Sequence, residues 1–317
     1  MYKGKTVAAV IPAHNEELLI GRVIDTMPSY VDKIIIVDDC STDQTAQIVH
    51  NYQVEFPERI YLLQHKINQG VGGAFTTGYK WCRDHEMDIT VAMDGDGQMD
   101  PDDLPALLDP IANDEVDYTK GNRLFSGKAW KEIPRIRYLG NASLSLLTKI
   151  ASGYWHVADS QSGYRVANLK VLKTLNLDNI YKKYGMPNDM LVKLNIHNFR
   201  VRDVPIRAIY NIGEKSGFKP VRIIPSLSRL IAKLFFIRMV QKYIIRDFHP
   251  LIFFYFLAIF LLGLCGPVLT IRLAIIWVIN GHIPSINALA LMMVTIAGIQ
   301  FLLFAMWFDM EDNRDLR

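Results

Sequence analysis

Over the first 93 residues, short apolar runs alternate with longer stretches in which apolar positions recur at helical spacing. This pattern predicts strands over 6–11, 33–37, 60–64 and 89–93, with helices over 17–27, 42–56 and 71–85 between them. Such alternation is the signature of an α/β fold built on a mostly parallel sheet. Open sheets of that kind bind ligands outside the carboxyl ends of their strands. The segments 12–17, 38–42 and 94–98, each following a predicted strand, are therefore expected to converge on one crevice.

The pattern changes completely near the C-terminal end. No Asp, Glu, Lys or Arg occurs from Phe248 to Ile271, and none from Leu273 to Phe308. A membrane span needs roughly 20 mostly apolar residues, so two spans over about 250–272 and 286–308 are expected, joined at the polar breaks Asn280-Gly281-His282 and Pro284-Ser285. Arg238, Lys242 and Arg246 precede the first span and Arg314 and Arg317 follow the second, which places both ends and the N-terminal domain in the cytoplasm by the positive-inside rule. Between 221 and 247, Arg222, Arg229, Lys233, Arg238, Lys242 and Arg246 are interleaved with Ile, Leu and Phe. Their spacing suits two short interfacial helices with a bend at 234–236 lying on anionic lipid. The expected organisation is a catalytic domain over 1–220, juxtamembrane amphipathic helices over 221–247 and a hairpin over 248–317.

Composition agrees with that division: 50% hydrophobic residues is high for a purely soluble chain. A net charge of +3 with no long run of one sign gives no reason to expect nucleic acid as a partner. Cys40, Cys82 and Cys265 are far apart, form no CxxC pair and read as ordinary thiols. The apolar stretch 6–11 is too short for a cleavable signal and is better read as the first strand.

The densest candidate chemistry is Asp94-Gly95-Asp96-Gly97-Gln98. If the strand continued through it, side chains two apart would share a face and present three oxygen-bearing groups to one point. Two carboxylates that close repel unless a cation compensates, and hard oxygen donors with open positions suit Mg²⁺ or Mn²⁺ holding a diphosphate. A plain turn competes, because Asp and Gly tolerate turn geometry. An EF-hand does not, since Met99 stands where its sharp turn needs Gly and Pro105 where its bidentate Glu belongs. Asp38 and Asp39 precede Ser41, which is placed to cap the next helix, with Asp39 free to read a base edge. Gly70, Gly72 and Gly73 resemble a phosphate loop, yet Phe75 breaks the dinucleotide fingerprint, so they are read as letting a helix start close to the sheet.

Taken together, Pro12-x-x-Asn15-Glu16, Val37-Asp38-Asp39-x-Ser41-x-Asp43, the Asp94–Gln98 cluster, Gly121-Asn122-Arg123, the run from Asp159 to Arg165 and the terminal hairpin resemble family 2 glycosyltransferases of the GT-A fold. The likeness is closest to polyprenyl-phosphate glycosyltransferases such as dolichyl-phosphate mannose and glucose synthases and the bacterial enzymes that charge undecaprenyl phosphate. The resemblance implies that Pro12, Asn15, Glu16, Asp39, Asp94 and Asn122 lie along the nucleotide sugar. It implies a metal held by Asp94, Asp96 and Gln98, with Arg123 bordering sugar and acceptor phosphate. Ser162, Arg165, Arg202, Arg207 and Lys215 are the candidates for gripping a lipid phosphate, because cationic forks bind phosphate well. Relatives often carry a Glu at the start of a later helix where this chain has Asn188-Asp189, so Asp189 stands as either a general base or a helix cap.

The implied reaction is inverting, metal-dependent hexose transfer, first glucose from UDP-glucose, to a membrane polyprenyl phosphate, with UDP or GDP as the donor's nucleotide and a homo-oligomer possible. A segment over 213–219 is expected to be either a closing loop or an exposed turn. Two alternatives are carried forward. A processive polysaccharide synthase would need a Gln-x-x-Arg-Trp motif, which the sequence lacks. A nucleotide-sugar-binding membrane scaffold would not need the acidic cluster.

Overall fold

The computed structural model describes residues 1–124, 135–207 and 220–317, with the helical stretches 135–141 and 220–224 described in backbone only. Two compact units are present: Met1–Phe235 with Leu316–Arg317, and Phe236–Asp315.

In the first unit every strand and helix expected over residues 6–93 forms. The strands are β1 (Val7–Ala13), β2 (Lys33–Asp38), β3 (Ile60–Gln64) and β4 (Ile89–Ala92), and the helices α1 (Ile20–Asp25), α2 (Thr45–Glu55) and α3 (Val71–Asp84). Beyond them come α4 (Leu104–Ala112), β5 (Tyr118–Asn122), α5 (Arg135–Ser152), β6 (Arg165–Asn168), α6 (Leu169–Thr174), α7 (Met186–Ile196) and β7 (Val201–Pro205). Among the described residues the strands form one sheet in the order β3-β2-β1-β4-β6-β5-β7. β1 runs parallel to β2 and β4, β2 to β3 and β5 to β7, whereas β6 is antiparallel to both β4 and β5.

The sheet is buried on both faces because β1 and β2 are apolar at nearly every position. Val7, Ala9 and Ile11 pack with Ile34 and Ile36 and with Leu104, Leu107 and Leu108 of α4. Ala8 and Val10 pack on the opposite face with Ile35, Val37 and Phe75 and Tyr79 of α3. Alternate residues thus feed two cores, as the period of a strand requires. Gly78 of α3 sits where a Cβ would collide with the Val10 side chain, so the glycine sets how closely this helix lies on the sheet.

Three expectations need correction here. The turn leading into α2 is held by Asp43 and not by Ser41: Asp43 Oδ1 accepts from Thr45 N–H at 3.0 Å and from the Thr45 hydroxyl at 2.6 Å, while Gln44 at the N-cap makes no side-chain cap bond. Ser41 Oγ instead accepts from the Asn15 backbone at 3.0 Å. The glycines at the start of α3 give access less to the sheet than to another chain segment: a Cβ on Gly70 would lie 2.6 Å from the Lys182 carbonyl, and Gly72 N–H donates to that carbonyl at 3.0 Å. Finally, the stretch expected to bend at 234–236 is one continuous helix, α8 (Pro220–Val240), followed by a π-helical segment, Gln241–Arg246.

In the second unit, helices α9 (Leu251–Asn280) and α10 (Ser285–Asp312) are both long and apolar enough to cross a membrane, and only 17% and 11% of their most apolar windows are buried. They pack on each other as a hairpin, with Gly281 in a left-handed turn at φ 70 between them. The first runs eight residues past the expected end at 272, carrying exposed Ile275, Trp277, Val278 and Ile279 beyond Arg272.

Arg238 and Lys242 do not face outward as the interfacial reading required. Arg238 is fully buried and forks onto Asp309, NH1 to Oδ1 at 2.7 Å and NH2 to Oδ2 at 2.8 Å. Tyr243 and Asn313 also donate to Asp309 Oδ1, and Lys242 donates to Asn313 Oδ1 at 2.6 Å. An ionic group closed off from water is tolerated only when so many partners satisfy it. Arg229, Lys233 and Arg246 remain exposed.

Candidate active site

A cleft of about 790 Å³ opens in the first unit beyond the ends of β1, β2 and β4. Pro12 and Ala13 close β1, Asp39 follows β2 and Asp94 to Gln98 follow β4, so the three segments meet as parallel packing demands. Their backbones take conformations few residues accept: Asn15 at φ 59, Cys40 at φ 64 and Gly97 at φ 70 are all left-handed.

The acidic cluster is a turn and not a strand, because β4 ends at Ala92. Its convergence comes from the turn itself: Gly97 reverses the chain and Gln98 N–H donates to Asp96 Oδ1 at 3.0 Å, leaving Asp94, Asp96 and Gln98 all lining the cleft. Gly163 is what lets the opposite wall approach, since a Cβ there would collide with Asp94 Oδ2. Glu16 enters from the β1 loop.

These acids strain one another. Burial and then the charges of Asp96, Asp43 and Asp94 push Glu16 up to about 7. Burial and Asp96 push Asp94 up to about 6, against the pull of Arg165 and Arg123. A set of hard oxygen donors whose members resist ionising together fits a divalent cation, which would relieve that repulsion. Among the described residues no group of three or more His, Cys, Asp and Glu side chains is placed to hold a metal ion by itself.

Asp39 is buried and its carboxylate is already heavily used. Oδ1 accepts from Gln69 N–H at 2.8 Å and meets His65 Nδ1 at 2.7 Å, and Oδ2 accepts from Gly70 N–H at 2.8 Å. It therefore holds the 65–70 loop against the cleft as well as facing it. His14, which follows β1, lines the cleft beside Asn68.

Across the cleft, Arg123 grips fully buried Asp159, Nε to Oδ2 at 2.7 Å and NH2 to Oδ1 at 3.2 Å, while its side chain keeps 18% exposure. Ser162 and Arg165 also line this wall. Arg165 is 2% exposed, donates to the Gly163 carbonyl at 3.1 Å and lies 4.7 Å over the Phe75 ring, so it serves as a buried cation beside Asp94. Arg207 sits at the rim, paired with Asp100 at 3.2 Å and Asp103 at 3.3 Å. Lys183 and Tyr184, which no motif marked, complete the wall.

Several expected residues lie elsewhere. Arg202 is outside the cleft lining, paired with Glu115 at 2.5 Å because β7 points it toward the loop after α4. Asp189 is also outside the lining: it sits buried in the first turn of α7, where its Oδ2 accepts from Lys193 at 2.5 Å and Tyr181 N–H at 2.8 Å. Asp189 is not the cap of α7, whose N-cap is Gly185 with no side-chain cap bond, and it lies outside the cleft lining. Asn15 and Asn122 shape the walls without lining them. Asn15 Oδ1 accepts from Thr42 N–H at 2.8 Å, and Asn122 Nδ2 donates to Asp203 at 2.9 Å. Lys215 and the 213–219 segment lie outside the described residues.

The sequence profile described as "Glycosyl transferase family 2" matches residues 8–175, which span β1 through α6 and every cleft segment up to Arg165. The chain is a family 2 glycosyltransferase. Two curated relatives of this glycosyltransferase extend the likeness. The UDP-N-acetylglucosamine–dolichyl-phosphate N-acetylglucosaminyltransferase of Methanococcus voltae is 35% identical over 218 residues, 65% of this chain and 86% of that one. An undecaprenyl-phosphate mannosyltransferase of Micrococcus luteus is 31% identical over 205 residues, 63% of this chain and 82% of that one. Among solved structures, the glucosyl-3-phosphoglycerate synthase of Mycobacterium tuberculosis with Mn²⁺ and UDP-glucose superposes with a TM-score of 0.53 at 20% identity, over 74% of this chain and 79% of that one. That likeness shows the GT-A fold. The family assignment removes the scaffold alternative as the chain's class, since the relatives are named as transferases.

Proposed function

We propose that this glycosyltransferase moves a hexose from a nucleoside-diphosphate sugar to a membrane polyprenyl phosphate, with Mg²⁺ or Mn²⁺, inverting the anomeric centre. The observation that carries the reading is one cleft in which Glu16, Asp94 and Asp96 face a wall containing Arg123, Arg165 and Ser162. Relatives named as dolichyl- and undecaprenyl-phosphate transferases and the two exposed apolar helices support the lipid acceptor.

Asp94, Asp96 and Gln98 would hold the cation, which when bound offsets negative charge on a departing diphosphate. Asp39 and the 68–70 loop line the side that would take the base, with Pro12 and Glu16 along the nucleotide. Arg123 would orient the acceptor phosphate, with Arg165 contributing charge from behind and Arg207 from the rim. A phosphate oxygen then bonds to the anomeric carbon as the bond to the nucleoside diphosphate breaks. The acceptor is already an anion near neutral pH, so no base is required, in keeping with Asp189 lying outside the cleft lining.

The donor is read first as UDP-glucose. UDP-N-acetylglucosamine is a second reading, favoured by the named substrate of the 35%-identical Methanococcus voltae relative. The membrane arrangement is a hairpin with the catalytic unit and both ends cytoplasmic, supported by Arg246 and Arg314 flanking the apolar helices. Purified protein in detergent, given polyprenyl phosphate, Mn²⁺ or Mg²⁺ and a panel of UDP- and GDP-sugars, should yield one glycosylated lipid. Nucleotide binding without any lipid product would overturn the lipid-acceptor reading.

A further inference from the structure

Beneath the Arg123 wall lies a buried charge that the reaction scheme above does not use. Lys120 on β5 is fully buried and its Nζ has no hydrogen-bond partner among the described residues. It stands in register between Arg165 of β6 and Asp203 of β7, so the three side chains share one face of the sheet. Asp203 Oδ2 accepts from Asn122 Nδ2 at 2.9 Å and from Ala158 N–H at 2.6 Å, yet its Oδ1 also lacks a partner among the described residues. Burial pushes the Lys120 ammonium down from its ordinary pKa, Asp159 and Asp203 pull it back up, and Arg123 and Arg165 add to the lowering; burial likewise pushes the Asp203 carboxyl up. An enclosed ammonium with no hydrogen bond is unfavourable for folding by itself. Its presence calls for a function.

We infer that Lys120 is a positioning residue for the acceptor side: its charge balances the Asp159–Asp203 pair, so that Arg123, anchored by Asp159, still presents attractive positive charge to an incoming phosphate. Among the described residues Lys120, Arg123 and Arg165 face Asp159 and Asp203 as three cations against two anions. Without Lys120 two arginines face two acids, and the wall loses the surplus positive charge that attracts the anion it has to receive. The balance also reaches Asp159 itself. Burial would raise its carboxyl, but Arg123 and Lys120 more than offset this and hold it down at about 2, which keeps it an anionic anchor for the Arg123 fork. The inference rests on the reading of Arg123 as an acceptor-phosphate ligand, and the variants are chosen to separate the two.

Lys120→Met fills the same space without charge. It is expected to raise the KM for polyprenyl phosphate about tenfold, as loss of one buried charge at close range implies, while the donor KM changes by less than about twofold. Adding Asp203→Asn removes one anion, restores the surplus positive charge and should bring the acceptor KM most of the way back, which a packing role for Lys120 would not do. A folded Lys120→Met with unchanged acceptor KM, or a double variant worse than the single, overturns the inference. Should Lys120→Met fail to fold, Asp203→Asn alone decides, because a surplus cation should leave the acceptor KM equal or lower and a rise refutes the charge balance. Arg123→Ala run in parallel tests the underlying reading: an unchanged acceptor KM there would remove Arg123 from the acceptor site whatever Lys120 does.

Discussion

Replacing Asp96 by Asn should make the metal-free protein more stable while abolishing its response to divalent cations. The charge of Asp96 is one of the causes that raise both Glu16, to about 7, and Asp94, to about 6. Each acid thus holds its proton more tightly in the folded chain than in the unfolded one. The sign follows from linkage: these two acids bind more protons in the folded state, so their contribution to the stability of the metal-free protein is most favourable below pH 4 and declines as pH rises toward 6 and 7. Burial outranks Asp96 as the cause at both sites, so removing the Asp96 charge recovers only part of the loss. About one pKa unit at Asp94 corresponds to about 1.4 kcal/mol, and about 1 kcal/mol moves Tm by roughly 2–4 °C for a unit of this size. Thermal unfolding in detergent with a chelator should show Asp96→Asn a few degrees above the parent at pH 7.5, with the two converging near pH 4.5. Adding Mn²⁺ should raise the parent's Tm at pH 7.5 far more than at pH 5, because protons compete for the same oxygens, and should leave the variant unmoved. A variant less stable than the parent at pH 7.5 without metal, or one that keeps the Mn²⁺ increment, would refute the description of Asp94, Asp96 and Glu16 as a mutually repelling cation site.

Other substitutions probe separate parts of the molecule. Gly163→Ala puts a methyl against Asp94 Oδ2, so turnover should fall at least about tenfold with Tm lowered by a few degrees at most, as measured by product formation and melting. Arg202→Ala should leave acceptor KM and turnover within about twofold, since its ion pair with Glu115 is exposed and outside the cleft lining. Arg238→Leu should cost about 3 kcal/mol, at the low end for a broken buried pair because Tyr243 and Asn313 still donate to Asp309, and Arg238→Leu with Asp309→Leu should recover most of it in detergent melting curves.

The strands and helices over residues 6–93 were legible because each is encoded locally. The strands are continuous apolar runs, and α3 carries its apolar residues at helical spacing. The carboxyl-edge rule then places three loops at one crevice. Local signals misled where they had to choose between partners. Asp43 and Ser41 are both good caps in sequence, and only the path of the Asn15 loop decided that Ser41 would be taken by the Asn15 backbone. Basic residues before a membrane span read as lipid-facing, yet whether Arg238 faces lipid or Asp309 depends on a residue 71 positions away. Arg202 failed for the same reason: strand alternation fixes the face of a side chain but not the neighbour waiting there, and Glu115 was the neighbour.

Order along the chain, the apolar hairpin and the acidic motif with its implied family are all written in residue type and spacing, because each depends on interactions between near neighbours or on bulk transfer from water. What the tertiary structure decided is which charges meet. It turned Asp94, Asp96 and Gln98 inward through a turn, excluded Asp189 and Arg202 from the cleft lining, and set Lys120 between Arg165 and Asp203. Electrostatic pairing acts across strands distant in sequence and depends steeply on separation and burial, so it becomes readable only once the sheet order β4-β6-β5-β7 is known.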